Sequence, residues 1–185
     1  TGPGGTNAIT GVAGGWLDSI PMLILSGQVR YDTTARWSGT GIRAMGDQEF
    51  DICRAVACMT KYCEMVIDPM RIRFCLEKAL YLARTGRPGP CWLDIPLNVQ
   101  GALVEIEELA GFDAEDYEAG GAGWALKGEN PHEILEDQKG QGEVRPEPVP
   151  ELCQDTVKDI VEKIRGSKRP VFNVGNGVRI AGAHE

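Results

Sequence analysis

YCEMVIDPMRIRFCLEKALYLARTGRPGPCWLDI, residues 62–95, decides the fold. Tyr62 to Ile67 is a short, largely apolar run of strand length, and Cys91 to Ile95 is another. Between them Asp68 is suited to an N-cap and Pro69 to the first helical position. Ile72, Cys75, Leu76, Ala79, Leu80 and Ala83 then recur every three or four residues and define one apolar stripe. Gly86 supplies the helix stop, and the turn Gly86-Arg87-Pro88-Gly89-Pro90 leads into the second strand. Strand, helix, strand in that order predicts a parallel sheet with covering helices, an α/β fold.

Working outward, residues 5–17 read as a helix with Gly and Ala on one face, and Met22 to Ser26 as a buried parallel strand. Val29 to Asp47 is polar and glycine-rich and reads as a long loop, a length usually tied to function. Glu49 to Met59 reads as a helix. Past residue 104 the character changes. Glu105 to Glu118 is acidic with no basic residue, and 119–150 is rich in Gly, Pro and charge. We expect three parts: 1–104 as the C-terminal part of one α/β domain, 105–150 as a linker or insertion, and 151–185 as the start of a second α/β domain. In the last part, Leu152, Val157, Ile160, Val161 and Ile164 mark an amphipathic helix that feeds a strand at Pro170 to Val174. The glycine-rich opening and this late strand fit a piece of a longer protein, with apolar surface that favours self-association.

Composition narrows the partners. The chain has 185 residues, 42% of them hydrophobic, and a net charge of -8, which argues against nucleic acid as a partner. No apolar run reaches the roughly 18 residues of a membrane span. Six cysteines, none in a CxxC pair, and two distant histidines give no metal-site spacing. Reduced thiols in a cytoplasmic protein are the expectation, with Cys75 and Cys91 acting as small hydrophobes.

The turn Gly2-Pro3-Gly4-Gly5-Thr6-Asn7 precedes a helix, where glycines allow close backbone approach and free N–H groups await a ligand. It lacks the Lys of a P-loop and the full GxGxxG spacing, so by itself it leaves a structural turn and a ligand site equally open.

Read together, TGPGGTNAITGVAGGWLDSIPMLILSGQV (residues 1–29), Asp47-Gln48-Glu49, Thr60-Lys61-Tyr62, Gly86-Arg87-Pro88-Gly89-Pro90 and Leu93-Asp94-Ile95-Pro96-Leu97-Asn98-Val99 resemble, in order and spacing, the pyrimidine-binding domain of thiamine-diphosphate-dependent enzymes of the acetolactate-synthase type. The resemblance covers residues 1 to about 100. A weaker one over 151–179, with Lys168-Arg169-Pro170-Val171 and Gly175-Asn176-Gly177, resembles the start of the central domain. It implies that Pro3, Gly4 and Asn7 line the aminopyrimidine end of the cofactor and that Gln28 closes the strand end where ligands collect. It further implies that Gln48 reaches into the active site, that Lys61 stands at the mouth of the substrate channel, and that Asp18 and Arg87 touch FAD in members that carry it. Each has a plainer alternative: Asn7 as a helix cap, Gln48 as a loop residue, Lys61 as a surface lysine, Arg87 as a turn brace, Asp18 as a helix-end residue. Two departures stand out. Asp47 replaces a usual aromatic residue, and the loop from Gln28 to Gln48 is about eight residues longer than in the synthases it resembles.

The implied activity is decarboxylation of a small 2-oxo acid such as pyruvate and transfer of the carbanion to a second carbonyl compound, with thiamine diphosphate and Mg²⁺, in a homodimer or homotetramer. The family's catalytic glutamate and its Gly-Asp-Gly…Asn metal-diphosphate motif do not occur in these residues, so the chain alone is expected to be inactive. The competing readings are a simple 2-oxo acid decarboxylase or C–C lyase or hydrolase on the same scaffold, and a non-catalytic nucleotide-binding module.

Overall fold

In the computed structural model the described residues are 2–121, 123, 152–175 and 177–183. They fall into two units, Thr1–Pro146 and Glu147–Glu185.

The first unit is built on three parallel strands, β1 (Met22–Gln28), β2 (Tyr62–Met65) and β3 (Pro90–Pro96), in the spatial order β1-β3-β2. Register is fixed by Leu25 opposite Leu93 and Ser26 opposite Asp94 on one side of β3, and by Glu64 opposite Leu93 and Met65 opposite Asp94 on the other. The continuous apolar runs therefore do form parallel strands, as the alternation of elements predicts. β2 is shorter than expected: Val66 still donates its N–H to the Asp94 carbonyl, but Ile67 lies beyond the ladder.

Helices cover the two faces. α1 (Gly2–Leu17) and α3 (Ile52–Val56) pack on one face with Val12, Ile52, Cys53, Val56, Cys63, Met65 and Trp92. α4 (Ile72–Arg84) packs on the other with Phe74, Cys75, Ala79, Leu82, Ala83, Cys91 and Leu93. The Asp68 carboxylate accepts the Met70 N–H, Pro69 opens a 3-10 turn at Pro69–Arg71, and α4 follows. Gly86 adopts φ +61° just past the helix end, the left-handed stop anticipated for it.

The stripe on α4 is turned from its expected position. Leu80 is exposed, whereas Phe74, Lys78 and Leu82 are buried. The cause is a segment read from sequence as linker. After α5 (Leu97–Gln100) the chain runs through a 3-10 turn at Ile106–Glu108 into α6 (Ala114–Glu118). Leu109 and Tyr117 are buried, and Phe112 and Tyr117 pack edge-on or tilted against Phe74 and Tyr81 at 5.3–6.2 Å between ring centres. The Lys78 ammonium lies 5.1 Å from the Tyr62 ring centre and 5.2 Å from that of Tyr117, an arrangement that favours a cation. The boundary expected at 104 is thus overtaken by residues 105–121, which complete the first unit's core. The remainder of the expected linker, except Gly123, lies outside the described residues.

The second unit contains α7 (Gln154–Gly166), where the expected amphipathic helix lies, and a single turn, α8 (Gly177–Ile180). Pro170 to Val174 forms no strand ladder, because the described residues of this unit offer no neighbouring strand to pair with. Among the described residues no helix is long and apolar enough to cross a membrane.

Candidate functional site

The strands give the sheet two ends, and α1 runs from one to the other. Gly2 starts it against the Gln48 backbone, and Gly15 ends near Met22 and Pro90, the first residues of β1 and β3. The N-terminus of α1 therefore lies toward the carboxyl end of the sheet, where ligands of open α/β sheets collect.

At that end two residues with left-handed backbone are pressed together. Gly2 has φ +32° and Gln48 φ +58°. A Cβ on Gly2 would collide with the Gln48 carbonyl oxygen, so only glycine fits the contact. Gln48 is not glycine, and its conformation costs about 1–3 kcal/mol that its surroundings must hold in place. Pro3, Gly4 and Asn7 are exposed on the first turns of α1, and no atom lies within 4 Å of a Cβ built on Gly4. This exposed helix start beside Gln48 offers backbone N–H groups that have no partner within the helix.

The long loop before Gln48 is folded around one carboxylate. Glu49 accepts the Ala35 N–H at 2.7 Å through one oxygen, and the Met45 and Gly46 N–H groups at 2.7 and 3.1 Å through the other. Ala35 opens α2 (Ala35–Ser38), which Thr34 caps by accepting the Trp37 N–H at 3.1 Å. The Arg36 guanidinium donates to both Asp51 oxygens, at 3.0 and 2.8 Å. The loop of the sequence reading is thus an ordered cap with a helical turn. Asp47 is exposed on it.

Beneath this cap lies a buried carboxylate that sequence reasoning gave no role. Asp94 is 1% exposed. It accepts the Ser26 hydroxyl at 2.6 Å and the Gln28 amide at 2.8 Å, while the Trp92 indole N–H donates to Ser26 at 2.7 Å. Burial pushes the Asp94 pKa up, against the pull of those two hydrogen bonds. A lone carboxylate inside an apolar strand was the available signal, since such groups are rarely buried without purpose. Gln28 is fully engaged: its amide nitrogen also donates to the Phe50 carbonyl at 2.9 Å, and its amide oxygen accepts the Val29 N–H at 3.0 Å. It stands at the carboxyl edge as expected, but it spends its hydrogen bonds on the protein.

Three expected site residues lie at the other end. Lys61 precedes β2, is buried, and donates its ammonium to the Thr85 carbonyl. Burial lowers its pKa. Its stem lies 3.2 Å from a Cβ built on Gly89, which is itself near Trp16. From Gly2 to Trp16 is fourteen helical steps, roughly 21 Å at 1.5 Å each. Lys61 therefore lies away from Gln48, against the expected convergence of Asn7, Gln48 and Lys61 on one pocket, while Asn7 stands exposed five residues along α1 from the Gly2 that touches Gln48. Arg87 donates through Nε to the Ser19 hydroxyl at 2.7 Å and through Nη2 toward the Leu17 carbonyl at 3.5 Å. It braces the turn from α1 to β1, in which Ser19 has φ +57°. Asp18 is exposed in the same turn.

Residues 1–54 match the family described as "Thiamine pyrophosphate enzyme, N-terminal TPP binding domain". Along its full length the chain is 33% identical to the acetolactate synthase large subunit of Corynebacterium glutamicum and 31% identical to the acetolactate synthase isozyme 3 large subunit of Escherichia coli. It covers 24% and 26% of those proteins. Over 59% of the chain it is 38% identical to the acetolactate synthase large subunit of Lactococcus lactis, covering 17% of it. The chain thus spans about a quarter or less of the length of the curated relatives it matches. Residues 1–54 thus match the N-terminal domain of the thiamine pyrophosphate enzymes, and the chain along its length is similar to acetolactate synthase large subunits.

Proposed function

We propose that the protein to which this chain belongs is a thiamine-diphosphate-dependent enzyme of the cytoplasm. It decarboxylates a small 2-oxo acid such as pyruvate and joins the remaining two-carbon unit to a second carbonyl compound, as in branched-chain amino acid biosynthesis. The observation that carries this reading is the contact of Gly2 with Gln48, which sets an exposed helix start beside a strained polar residue at the carboxyl end of a parallel sheet.

Thiamine diphosphate, when bound, supplies the electron sink for the pair left by loss of CO₂. This chain's part is to hold and orient. Pro3, Gly4 and Asn7 would take the pyrimidine end, since the space above Gly4 is open. Gln48 would direct its side-chain amide at the substrate, because its backbone is fixed by Gly2 on one side and Glu49 on the other. Gln28 would act from within, holding the Phe50 carbonyl rather than the cofactor. Mg²⁺ would need oxygen ligands from outside these residues. FAD, if present, would meet Asp18 and the N–H groups of Arg87 not given to Ser19. The active protein would be a homodimer or homotetramer.

Full-length protein incubated with pyruvate, thiamine diphosphate and Mg²⁺ is expected to form 2-acetolactate. Acetaldehyde as the main product would favour the simple decarboxylase. Calorimetry without thiamine diphosphate binding would favour the nucleotide-binding module and end the proposal.

A further inference from the structure

Resting on that reading of Gln48, we infer that Asp94 is a positioning residue for the reaction, acting through Gln28 and the Phe50 carbonyl on the left-handed Gln48. The path is continuous. Asp94 on β3 holds one N–H of the Gln28 amide at 2.8 Å, and the same nitrogen holds the Phe50 carbonyl at 2.9 Å. Phe50 stands two residues after Gln48, whose φ of +58° has to be imposed from outside.

Orientation is the reason a carboxylate is needed. An amide side chain presents a donor and an acceptor at one tip, and either can be turned toward a given partner. Asp94, as an acceptor on both oxygens, fixes the Gln28 nitrogen inward, and the Gln28 oxygen is then left for the Val29 N–H at 3.0 Å. Ser26 holds the other Asp94 oxygen, and Trp92 holds Ser26, so the carboxylate itself cannot swing. On the far side Glu49 grips Met45 and Gly46. Gln48 is therefore tied on both sides, by one network that reaches into the sheet and by one confined to the loop.

An asparagine at 94 would offer one donor and one acceptor in the same volume. It would set an N–H against either the Ser26 hydroxyl or the Gln28 amide, and loosen the hold on Phe50. The test is Asp94→Asn in the full-length protein, with Gln48→Ala for reference and the exposed loop carboxylate Asp32→Asn as a control. Amide hydrogen exchange is measured without cofactor, and steady-state kinetics with thiamine diphosphate and Mg²⁺. In Asp94→Asn, exchange over residues 48–51 is expected to rise selectively. kcat/KM for the 2-oxo acid is expected to fall about tenfold or more, as misplacement of a reacting group requires. The thiamine diphosphate concentration for half-activation should stay within about twofold, since the hydrogen bonds of Asp94 run to Ser26 and Gln28 and not to Pro3, Gly4 or Asn7. Asp32→Asn should match the wild type.

An exchange increase spread evenly over the sheet, or a kcat/KM unchanged in Asp94→Asn while Gln48→Ala lowers it, overturns the inference alone. No effect of Gln48→Ala overturns the reading of Gln48 beneath it. If Asp94→Asn does not fold, Gln28→Met removes the donor to Phe50 at similar size, and the same two readouts apply.

Discussion

Two carboxylates are buried in neighbouring strands on opposite faces of the sheet, and they are held in opposite ways. Glu64 on β2 faces α4. It pairs with the Arg71 guanidinium at 2.8 Å and accepts the Tyr62 hydroxyl, with the Cys75 thiol 3.6 Å away. Asp94 on β3 faces α1 and α3 and is held by the neutral Ser26 and Gln28. The first arrangement places a full countercharge in the core, so the ion pair is a local structural lock. The second is met by a hydroxyl and an amide, and its hydrogen bonds lead outward to the loop that carries Gln48. The face separates the roles, since the two lie only one register step apart: Glu64 lies on the face covered by α4, and Asp94 on the face covered by α1 and α3.

The sharpest way to break this comparison is Arg71→Met. Leaving the Glu64 carboxylate buried without its cation should destabilise the first unit by about 3–5 kcal/mol. Denaturant titration would read it, and a loss under about 1 kcal/mol would mean that Glu64 is as loosely held as a surface group. Tyr117→Ala comes next. It removes a ring from the cluster with Phe112, Tyr81 and Lys78 and should cost roughly 3 kcal/mol. An unchanged unfolding midpoint would return residues 105–121 to the status of a linker.

The third prediction concerns pH. A carboxyl whose pKa is raised on folding binds its proton more tightly in the folded state than in the unfolded one. Its contribution to stability therefore falls as pH rises from the ordinary value of 3.8 through the folded pKa, and is retained below it. Nearby Asp51 adds to the shift. Wild type should lose stability relative to Asp94→Asn across that interval. A difference between the two that does not move with pH would show that Asp94 titrates as it does unfolded. The smallest effect is Arg87→Ala, which removes the brace on Ser19 and should cost about 1 kcal/mol. It should leave exchange over residues 48–51 unchanged, because Arg87 lies at the other end of α1.

The sequence made the parallel sheet, α1, α4 and α7 legible because each depends on local signals: apolar runs of strand length, Asp68-Pro69 at a helix start, Gly86 at its end. The stripe on α4 was misplaced because its flank is covered by Phe112 and Tyr117, more than thirty residues away, and periodicity cannot see a partner at that distance. Pro170–Val174 has the composition of a strand, but a strand needs a neighbour. Motif order singles out Gln48, but its contact with Gly2 is not legible, since a left-handed φ outside glycine leaves no mark in residue types. The role of Lys61 rests on the resemblance alone, and α3 and its following turn carry the chain from one end of the sheet to the other between Gln48 and Lys61. Asp94, Ser26 and Gln28 form a network across two strands 66 to 68 residues apart, which only pairing register reveals.

The strand order has a consequence for synthesis. β3 lies between β1 and β2 but is the last of the three in the chain. Neither earlier strand can meet β3 until Pro96 has left the ribosome, so the side that each turns toward β3 waits unpaired. The join is long-range and closes late, which makes it slow by the ordinary relation of rate to sequence separation. A pause in translation between residues 65 and 96 would prolong that exposed interval, and a chaperone that shields strand edges would be needed most there.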